Sequence, residues 1–457
     1  MPDILGEVIE HVPSYNAFMT VEELDESAVK LAEKYPDVVK LLDIGTTREG
    51  DKIYALRIGK GKNKALLFGC PHPNEPVGTL VLEYLSWELA KNDKLREVFD
   101  YTWYIVKVAD KEGLRLNSGW LKGPFTPLNY AKNYYRPAGN KQVEWTFPIE
   151  YKTLKFNNPL PETKALMNII ESNKPDFIYS LHNAGFGGVY YYISEEAYLL
   201  FPVYHKFPKD YNVPLSLGEP EVPWAQMFAP AIYRMVSTPE NYEYIKKHTD
   251  KDPAEIIKTG TSSFDYARMF NPKVFELVTE VPYYYDSRIE DVRPSGVHRR
   301  KAVLDSIEKS KESYQLIKST YDKVKNKLKL FTRLRESIEY YLETFPNSIV
   351  AEENWAKTAP ELEREATVAE KFDNYQVSEF YRLLSLGMLY RMLKIEAESG
   401  GDSVVESSLK SIEEELEQRA EKLERELNYT TIPLDKLVKI QLAAGLYTAL
   451  YVQIKNA

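Results

Sequence analysis

The stretch KALLFGCPHPNEP, residues 64–76, decides the fold, because it runs from an apolar segment into a loop of potential metal ligands. Residues 65–68 are all apolar and predict a buried strand, whereas residues 77–89 have the apolar spacing of a helix. His72 and Glu75 lie in the loop between them, and both can reach one Zn²⁺ at about 2.0–2.2 Å if the backbone turns tightly, which prolines encourage. Alone, this His-x-x-Glu pattern is weak, since such short patterns recur by chance in most chains.

The sequence around this stretch has the alternating pattern of an α/β protein up to about residue 295. Short apolar runs alternate with amphipathic stretches, and many prolines and glycines lie between them. The pattern predicts strands at residues 53–58, 64–68, 103–108, 177–180, 189–193 and 274–281, and helices at residues 21–34 and 76–91. Residues 205–237 are rich in proline and predict a long ordered loop. We therefore expect a parallel or mixed sheet that is covered on both faces.

From about residue 299 the sequence changes to an all-helical character. Glycine nearly disappears, Lys and Glu become frequent, and apolar residues recur at helical spacing, so we predict two domains, residues 1–297 and a helical bundle at residues 298–457. Four or five helices are expected, with breaks near residues 345–347, 398–402 and 431–433. The clearest helix has an apolar stripe made by Leu409, Ile412, Leu416, Ala420, Leu423 and Leu427. This short stripe favours a bundle core over a coiled-coil dimer seam, and dimerisation stays open.

Two further predicted strands bring polar residues that complete a metal site. The apolar residues 177–181 end at His182, and in an open α/β sheet ligands gather at the carboxyl ends of strands. A set of two histidines and Glu75 leaves a fourth zinc position open for water, which is the catalytic pattern. Glu280, near the carboxyl end of strand 274–281, is placed to take a proton from water and to pass it to a leaving amine. Glu276 lies deeper on the same strand, where we expect a structural ion pair.

The bulk composition argues against several classes of protein. The chain has 457 residues, a formal net charge of −9 and a pI near 5.5, which is unsuited to a general nucleic-acid binder. We find no apolar run of about 18 residues and no secretory signal pattern at the N-terminus, so we expect neither a membrane span nor a leader. The one cysteine, Cys70, excludes an intramolecular disulfide and suits a cytoplasmic protein.

These motifs, in this order, resemble the zinc carboxypeptidase family that includes pancreatic carboxypeptidases A and B. The resemblance covers about residues 14–286 and includes the lead-in IGTTREG at residues 44–50. It implies an α/β/α fold with a mixed eight-stranded sheet, one Zn²⁺ per chain and water-promoted hydrolysis of an amide bond. It also implies that Arg136, which follows two tyrosines, polarises the scissile carbonyl and stabilises the oxyanion.

Two departures from the family pattern concern the substrate. Where the family has an arginine that clamps a terminal carboxylate, this chain has Glu144 and Trp145. An acid there would repel a carboxylate and could attract an amine or hydroxyl group, while Trp145 could pack on an apolar or sugar-like ring. Asn183 is assigned to the same substrate site. The family's mobile-loop tyrosine is absent from residues 255–263, and the candidates to replace it are Tyr242, Tyr244 and the tyrosines at 283–285.

Three functions remain open at this point. The first is a zinc peptidase with non-standard C-terminal recognition, in which the ligand trio, Arg136 and Glu280 all act. The second is a zinc amidohydrolase or deacylase for a modified amino acid or a cell-wall-type peptide, which the missing clamp favours. The third, a non-catalytic zinc-binding assembly protein, ranks last because the ligands and the base are all present. The expected partner is a peptide or amide small molecule, without nucleic acid or membrane, and a homo-oligomer through the helical domain is left open.

Overall fold

The structure, a computed structural model, describes residues 4–457. Its strands are β1 Val39–Thr46, β2 Lys52–Ile58, β3 Asn63–Gly69, β4 Tyr101–Val106, β5 Ile149–Tyr151, β6 Leu154–Phe156, β7 Phe177–Leu181, β8 Tyr190–Ile193, β9 Met227–Ala229, β10 Ile232–Arg234, β11 Phe275–Glu280, β12 Tyr284–Tyr285, β13 Pro294–His298, β14 Glu365–Thr367 and β15 Thr430–Thr431. Its helices are α1 Ile4–Glu10, α2 Val21–Lys34, α3 Val77–Lys91, α4 Asp93–Val98, α5 Lys111–Leu116, α6 Ser118–Leu121, α7 Pro127–Asn133, α8 Pro161–Asn173, α9 Phe201–Asp210, α10 Thr238–His248, α11 Pro253–Ile256, α12 Ser263–Ala267, α13 Arg299–Val324, α14 Arg333–Thr358, α15 Val368–Phe372, α16 Ser378–Glu398, α17 Ser403–Glu426 and α18 Leu434–Lys455.

A nine-stranded mixed sheet forms the centre of the molecule, with strand order β1-β2-β4-β3-β7-β11-β8-β10-β9. The inner strands β4, β3, β7 and β11 are parallel to one another, whereas β8 pairs antiparallel with β11. This confirms the predicted fold class, although the resemblance implied eight strands. The loop predicted at residues 205–237 is wrong in part, because this segment contains β9, β10 and most of α9. Strands of three residues are too short to produce a visible alternation in sequence.

Successive residues of the inner strands enter two different hydrophobic cores. In β7, Phe177, Tyr179 and Leu181 belong to the larger core, which also contains residues of α3, α9 and α18. Ile178 lies on the opposite face, in a smaller core with residues of α8 and α12. Because side chains alternate along a strand, Ser180 and the residue after the strand, His182, share the face of Ile178. This places the polar residues of β7 on one side of the sheet.

The helices after residue 298 pack on one another and on the sheet. The apolar stripe lies on α17, where Ile412, Leu416, Ala420 and Leu423 are buried and the helix packs on α16 of the same chain. The larger hydrophobic core contains residues from both sides of the compositional boundary. At Gly445, for instance, an added Cβ would lie 2.6 Å from the ring of Tyr179. The two sequence segments therefore share one core in the folded chain.

The expected helix break at residues 345–347 is wrong, because α14 continues through Pro346. A proline inside a helix cannot donate to the carbonyl four residues earlier, here that of Leu342. The hydroxyl of Tyr314 donates to this carbonyl oxygen at 3.2 Å, and its ring stacks on Phe345 at a centroid distance of 4.9 Å. A side chain from α13 thus supplies the hydrogen bond that the proline removes.

Helix α18 is long and largely apolar, although we found no long apolar run in the sequence. It is long and apolar enough to cross a membrane by length and composition, and 67% of its apolar window is buried inside the protein. The helix packs against β7, β11, α3 and α9. Gln441 donates from its amide nitrogen to the carbonyl oxygens of Thr279 and His182. Burial against the sheet therefore accounts for its apolar character, as in the core helix of a globular protein.

Candidate active site

His72, Glu75 and His182 converge in the structure, as the sequence predicted. Their ligand atoms all lie within 4.8 Å of one another, and the three side chains are buried. The Nδ1 atoms of the two histidines are 3.2 Å apart, and Glu75 Oε2 is 2.9 Å from His182 Nδ1 and 3.2 Å from His72 Nδ1. Ligands of one tetrahedral zinc ion lie about 3.3 Å apart when each bond is about 2.0–2.1 Å. The trio therefore fits a single Zn²⁺.

The local backbone explains how the two loops meet. After β3 the chain turns at Cys70, whose φ is +56°, and Glu75 donates its amide to the carbonyl of His72 at 3.0 Å. The side-chain oxygen of Asn183 accepts the amide of Val77 at 3.1 Å, which ties the loop after β7 to the start of α3. The side chain of Asn183 is buried and lines the same cavity as the metal trio.

The Nε2 atom of His182, which points away from the trio, is held by a chain of contacts that reaches Glu144. His182 Nε2 is 2.8 Å from Ser180 Oγ, which lies 3.2 Å from Glu144 Oε2. The other oxygen of Glu144 accepts both the amide and the hydroxyl of Ser263, at 2.9 Å and 2.8 Å. Both oxygens of Glu144 thus form hydrogen bonds within the protein, whereas we expected a free acid that faces a substrate.

The environment lowers the pKa of His72 to about 3, mainly through burial and then through Arg136, so its imidazole is neutral.

Arg136 lies directly beside the ligand trio. Its guanidinium donates to Glu75 Oε1 at 2.7 Å and lies 2.9 Å from His72 Nδ1. A second, weaker contact of 3.4 Å reaches the side-chain oxygen of Gln142. The carbonyl of Arg136 accepts the hydroxyl of Ser337 from α14 at 3.0 Å, so the backbone at this position is held from the C-terminal helices. The location agrees with a group that stabilises charge on a substrate at the metal.

Glu280 and Glu276 occupy different depths on β11. The register pairs Thr279 with Leu181, which brings Glu280 level with His182, and Glu276 lies level with Ile178. Burial, and then the carboxylates of Glu75 and Glu221, raise the pKa of Glu280 well above its usual range. No hydrogen bond to the side chain of Glu280 is found among the described residues, and the side chain lines the cleft. It is therefore free to contact a ligand at the metal.

The structural ion pair that we expected for Glu276 is wrong. Its Oε1 contacts Ser263 Oγ at 2.8 Å, and its Oε2 is buried without a partner among the described residues. Ser263 has a single hydroxyl hydrogen but contacts carboxyl oxygens of both Glu276 and Glu144, so one of the two acids must carry a proton for both contacts to be hydrogen bonds. Burial, and then Glu144, raise the pKa of Glu276, which agrees with a shared proton.

A cavity of about 850 Å³ contains the metal trio, Arg136, Trp145, Asn183 and Glu280. The tyrosines that the sequence suggested as replacements do not line it. The tyrosines that do line it are Tyr130, Tyr134, Tyr190, Tyr192, Tyr233, Tyr340, Tyr341 and Tyr381. The last three come from α14 and α16, beyond residue 286, where the sequence resemblance ends. No local signal marks them, because only the docking of these helices brings them to the cleft.

Comparisons with known proteins agree with this geometry. A family model described as zinc carboxypeptidase matches residues 24–280, which is more than half of the chain. Mast cell carboxypeptidase A of Rattus norvegicus is 26% identical over 165 residues, which cover 32% of this chain and 40% of the relative. The human protein of the same name is 25% identical over 191 residues, covering 36% and 45%. The match thus spans less than half the length of these curated relatives.

Two solved structures are similar to this chain at low TM-scores. Carboxypeptidase A from Helicoverpa armigera has a TM-score of 0.40 and 15% identity, covering 78% of this chain and 79% of that chain. A metallo-carboxypeptidase from Burkholderia cenocepacia has a TM-score of 0.32 and 16% identity, covering 60% and 61%. Since both scores are below 0.5, the family assignment depends on the matched family model.

Proposed function

This chain belongs to the zinc carboxypeptidase family, and we propose that it hydrolyses peptide bonds with a water molecule that Glu280 activates. The observation that carries the proposal is the position of Glu280, which is level with the ligand His182, lies in the same cavity as the metal trio and has no side-chain hydrogen bond within residues 4–457. His72, Glu75 and His182 would hold the zinc ion. When bound there, Zn²⁺ supplies Lewis-acid chemistry to a carbonyl oxygen or a water molecule.

The residues around the metal trio can divide the proton transfers and the charge stabilisation between them. In this proposal Glu280 accepts a proton from the attacking water and passes it to the leaving amine nitrogen. A raised carboxyl pKa suits both steps, because the group can hold the proton between them. Arg136 stabilises the negative charge that develops on the carbonyl oxygen, since its guanidinium is fixed and always charged.

The second part of the proposal is that substrate recognition does not use a carboxylate clamp. Arg136 and Arg299 are the cationic side chains that line the cavity among the described residues, and both are paired with glutamates. The cavity lining carries instead the Oε2 atom of Glu276, which is buried without a partner in residues 4–457. This acceptor oxygen suits an amine or another hydrogen-bond donor on the substrate better than a carboxylate.

The substitution Glu280→Gln tests the catalytic role. We expect the variant to retain stoichiometric zinc, because Glu280 is outside the trio, and to lose at least about 100-fold in kcat, the lower range for general acid-base catalysis. Glu243→Gln, at an exposed acid that bonds to Tyr151, is the control and should behave as the wild type. Wild-type turnover in the zinc-loaded Glu280→Gln protein would refute the assignment.

Matched peptides with a free or an amidated C-terminus test the recognition. If no cation clamps the carboxylate, the two forms should be hydrolysed with kcat/KM values within about threefold of each other, since a charge-assisted hydrogen bond to a clamp would contribute tenfold or more. A preference of tenfold or more for the free acid would show that a carboxylate clamp exists in spite of Glu144 and Trp145.

A further inference from the structure

The outer wall of the catalytic cavity is built by the C-terminal helices, which lie beyond the matched family region. The family model ends at residue 280, whereas α14 and α16 contribute a set of mainly aromatic and apolar side chains to the same cavity. These outer-wall residues are Tyr340, Tyr341, Trp355, Tyr381, Leu384 and Met388. A substrate at the metal trio would therefore lie between the matched family region and helices that lie outside it.

This outer wall is firmly attached to the family domain. Arg391 on α16 donates to the carbonyl oxygens of Leu116, Asn133 and Tyr134, at 2.8–2.9 Å. Gly387 on the same helix approaches α7 so closely that an added Cβ would lie 2.0 Å from the carbonyl oxygen of Ala131. Such contacts leave no room for α16 to move independently of the cleft. Side chains on its cavity face are consequently held in position before a substrate arrives.

Tyr381 is the outer-wall residue best placed to contact a substrate. Its neighbour Phe380 packs on Gly185, where an added Cβ would lie 2.5 Å from the phenylalanine ring. The hydroxyl oxygen of Tyr381 accepts the amide of Gly185 at 3.2 Å, three residues after the ligand His182. The residue nevertheless remains 42% exposed. The ring is thus anchored at one point and open to the cavity elsewhere.

The hydrogen-bond inventory of Tyr381 leaves one donor free. A phenol both donates and accepts, and its oxygen already accepts from Gly185. Its own hydrogen has no acceptor among the described residues. Tyr190, also in the cavity, differs because its hydroxyl donates to Glu221 at 2.6 Å. The pKa of Tyr381 is raised, first because its hydroxyl is shielded from water and also by Glu280, so the phenol keeps its hydrogen at neutral pH.

We infer that Tyr381, supplied by α16, is a substrate-contacting residue whose hydroxyl donates a hydrogen bond to a carbonyl oxygen of the bound peptide. The inference rests on the proposed peptide hydrolysis and adds the C-terminal helices to the active site. The substrate is then a peptide that binds with one backbone carbonyl between the glycine-rich loop after His182 and the outer wall.

The test compares Tyr381→Phe with Tyr390→Phe, a control on the same helix whose hydroxyl bonds to Glu413 at 3.3 Å and which does not line the cavity. The probe is dansyl-Ala-Ala-Lys, measured for hydrolysis and, in a zinc-loaded Glu280→Gln background, for binding by dansyl fluorescence. One lost neutral hydrogen bond predicts about 3- to 10-fold lower kcat/KM and correspondingly weaker binding in Tyr381→Phe. Tyr390→Phe should stay within twofold, and zinc affinity should be the same in both variants.

The outcomes separate the possible failures. Equal binding and hydrolysis in the two tyrosine variants would overturn the inference. A loss of zinc affinity in Tyr381→Phe would also overturn it, because it would indicate that the hydroxyl only holds the loop at Gly185. If the wild type hydrolyses no peptide, or Glu280→Gln remains active, the proposed function itself fails. If the wild type is active and Glu280→Gln inactive, only the role of Tyr381 is in question.

Discussion

Removing the hydroxyl of Ser180 should weaken zinc binding without touching a ligand. Ser180 Oγ is 2.8 Å from His182 Nε2 and 3.2 Å from Glu144 Oε2, and Ser180→Ala abolishes both contacts. Two net hydrogen bonds of about 0.5–1.5 kcal/mol each give about 1–3 kcal/mol. Loss of a partner that orients a metal-binding histidine costs about 10- to 100-fold in affinity, or about 1.4–2.7 kcal/mol, which agrees with that sum.

The assay is competition for Zn²⁺ between the protein and a chromophoric chelator at constant pH. Ser86→Ala provides a matched control, because Ser86 is equally buried and its hydroxyl donates to the carbonyl of Glu83 at 2.9 Å within α3. We expect Ser180→Ala to bind zinc about 10- to 100-fold more weakly than Ser86→Ala. Equal zinc affinity in the two variants would refute the idea that Glu144 and Ser180 orient His182.

Two further predictions concern other carboxyl groups of the cavity. Glu276→Leu, which removes the acceptor oxygen, should reduce the preference for peptides with a C-terminal lysine over leucine by about 10-fold, the value of one charge-assisted hydrogen bond, and an unchanged kcat/KM ratio would contradict the amine-binding role. Burial, and then Glu219, raise the pKa of Asp373 from 3.8 to about 7. The folded state therefore binds the proton more tightly than the unfolded state, and the stability of the protein falls as pH rises from about 4 to 7. Asp373→Asn should therefore increase the free energy of unfolding at pH 8 and make stability depend less on pH. The pKa shift sets an upper bound of about 4 kcal/mol on the increase, and partial exposure of the carboxyl reduces it further. Denaturant unfolding at pH 5 and 8 measures the difference, and an equally steep decline in the variant would contradict it.

The metal trio was predictable because both histidines follow apolar strands and Glu75 lies three residues after the first of them. His72 follows β3 and His182 follows β7, and these neighbouring parallel strands end at the same edge of the sheet. The same argument singled out Glu280 over Glu276 on β11, and the register agrees with it. Such residues can be predicted from the sequence because local apolar patterns indicate where a buried strand lies and where it ends.

The partners of buried polar groups were not predictable from the sequence. Glu276 was expected in an ion pair but contacts Ser263 and shares it with Glu144. Pro346 was expected to end a helix, yet Tyr314 satisfies the carbonyl that the proline leaves free. In both cases the deciding atoms are distant in sequence, and their contribution depends on contacts that local propensity does not describe.

The sequence by itself determined the α/β class, the change to helices near residue 299 and the set of His72, Glu75, His182 and Glu280, because periodicity and strand ends are local properties of a chain. Only the tertiary structure decided what surrounds this set. Both oxygens of Glu144 contact serines, one oxygen of Glu276 has no partner in the part of the chain that the structure describes, and Tyr381 of α16 lines the cavity. These features arise from the close packing of segments that are far apart in sequence, and no short stretch of sequence specifies them.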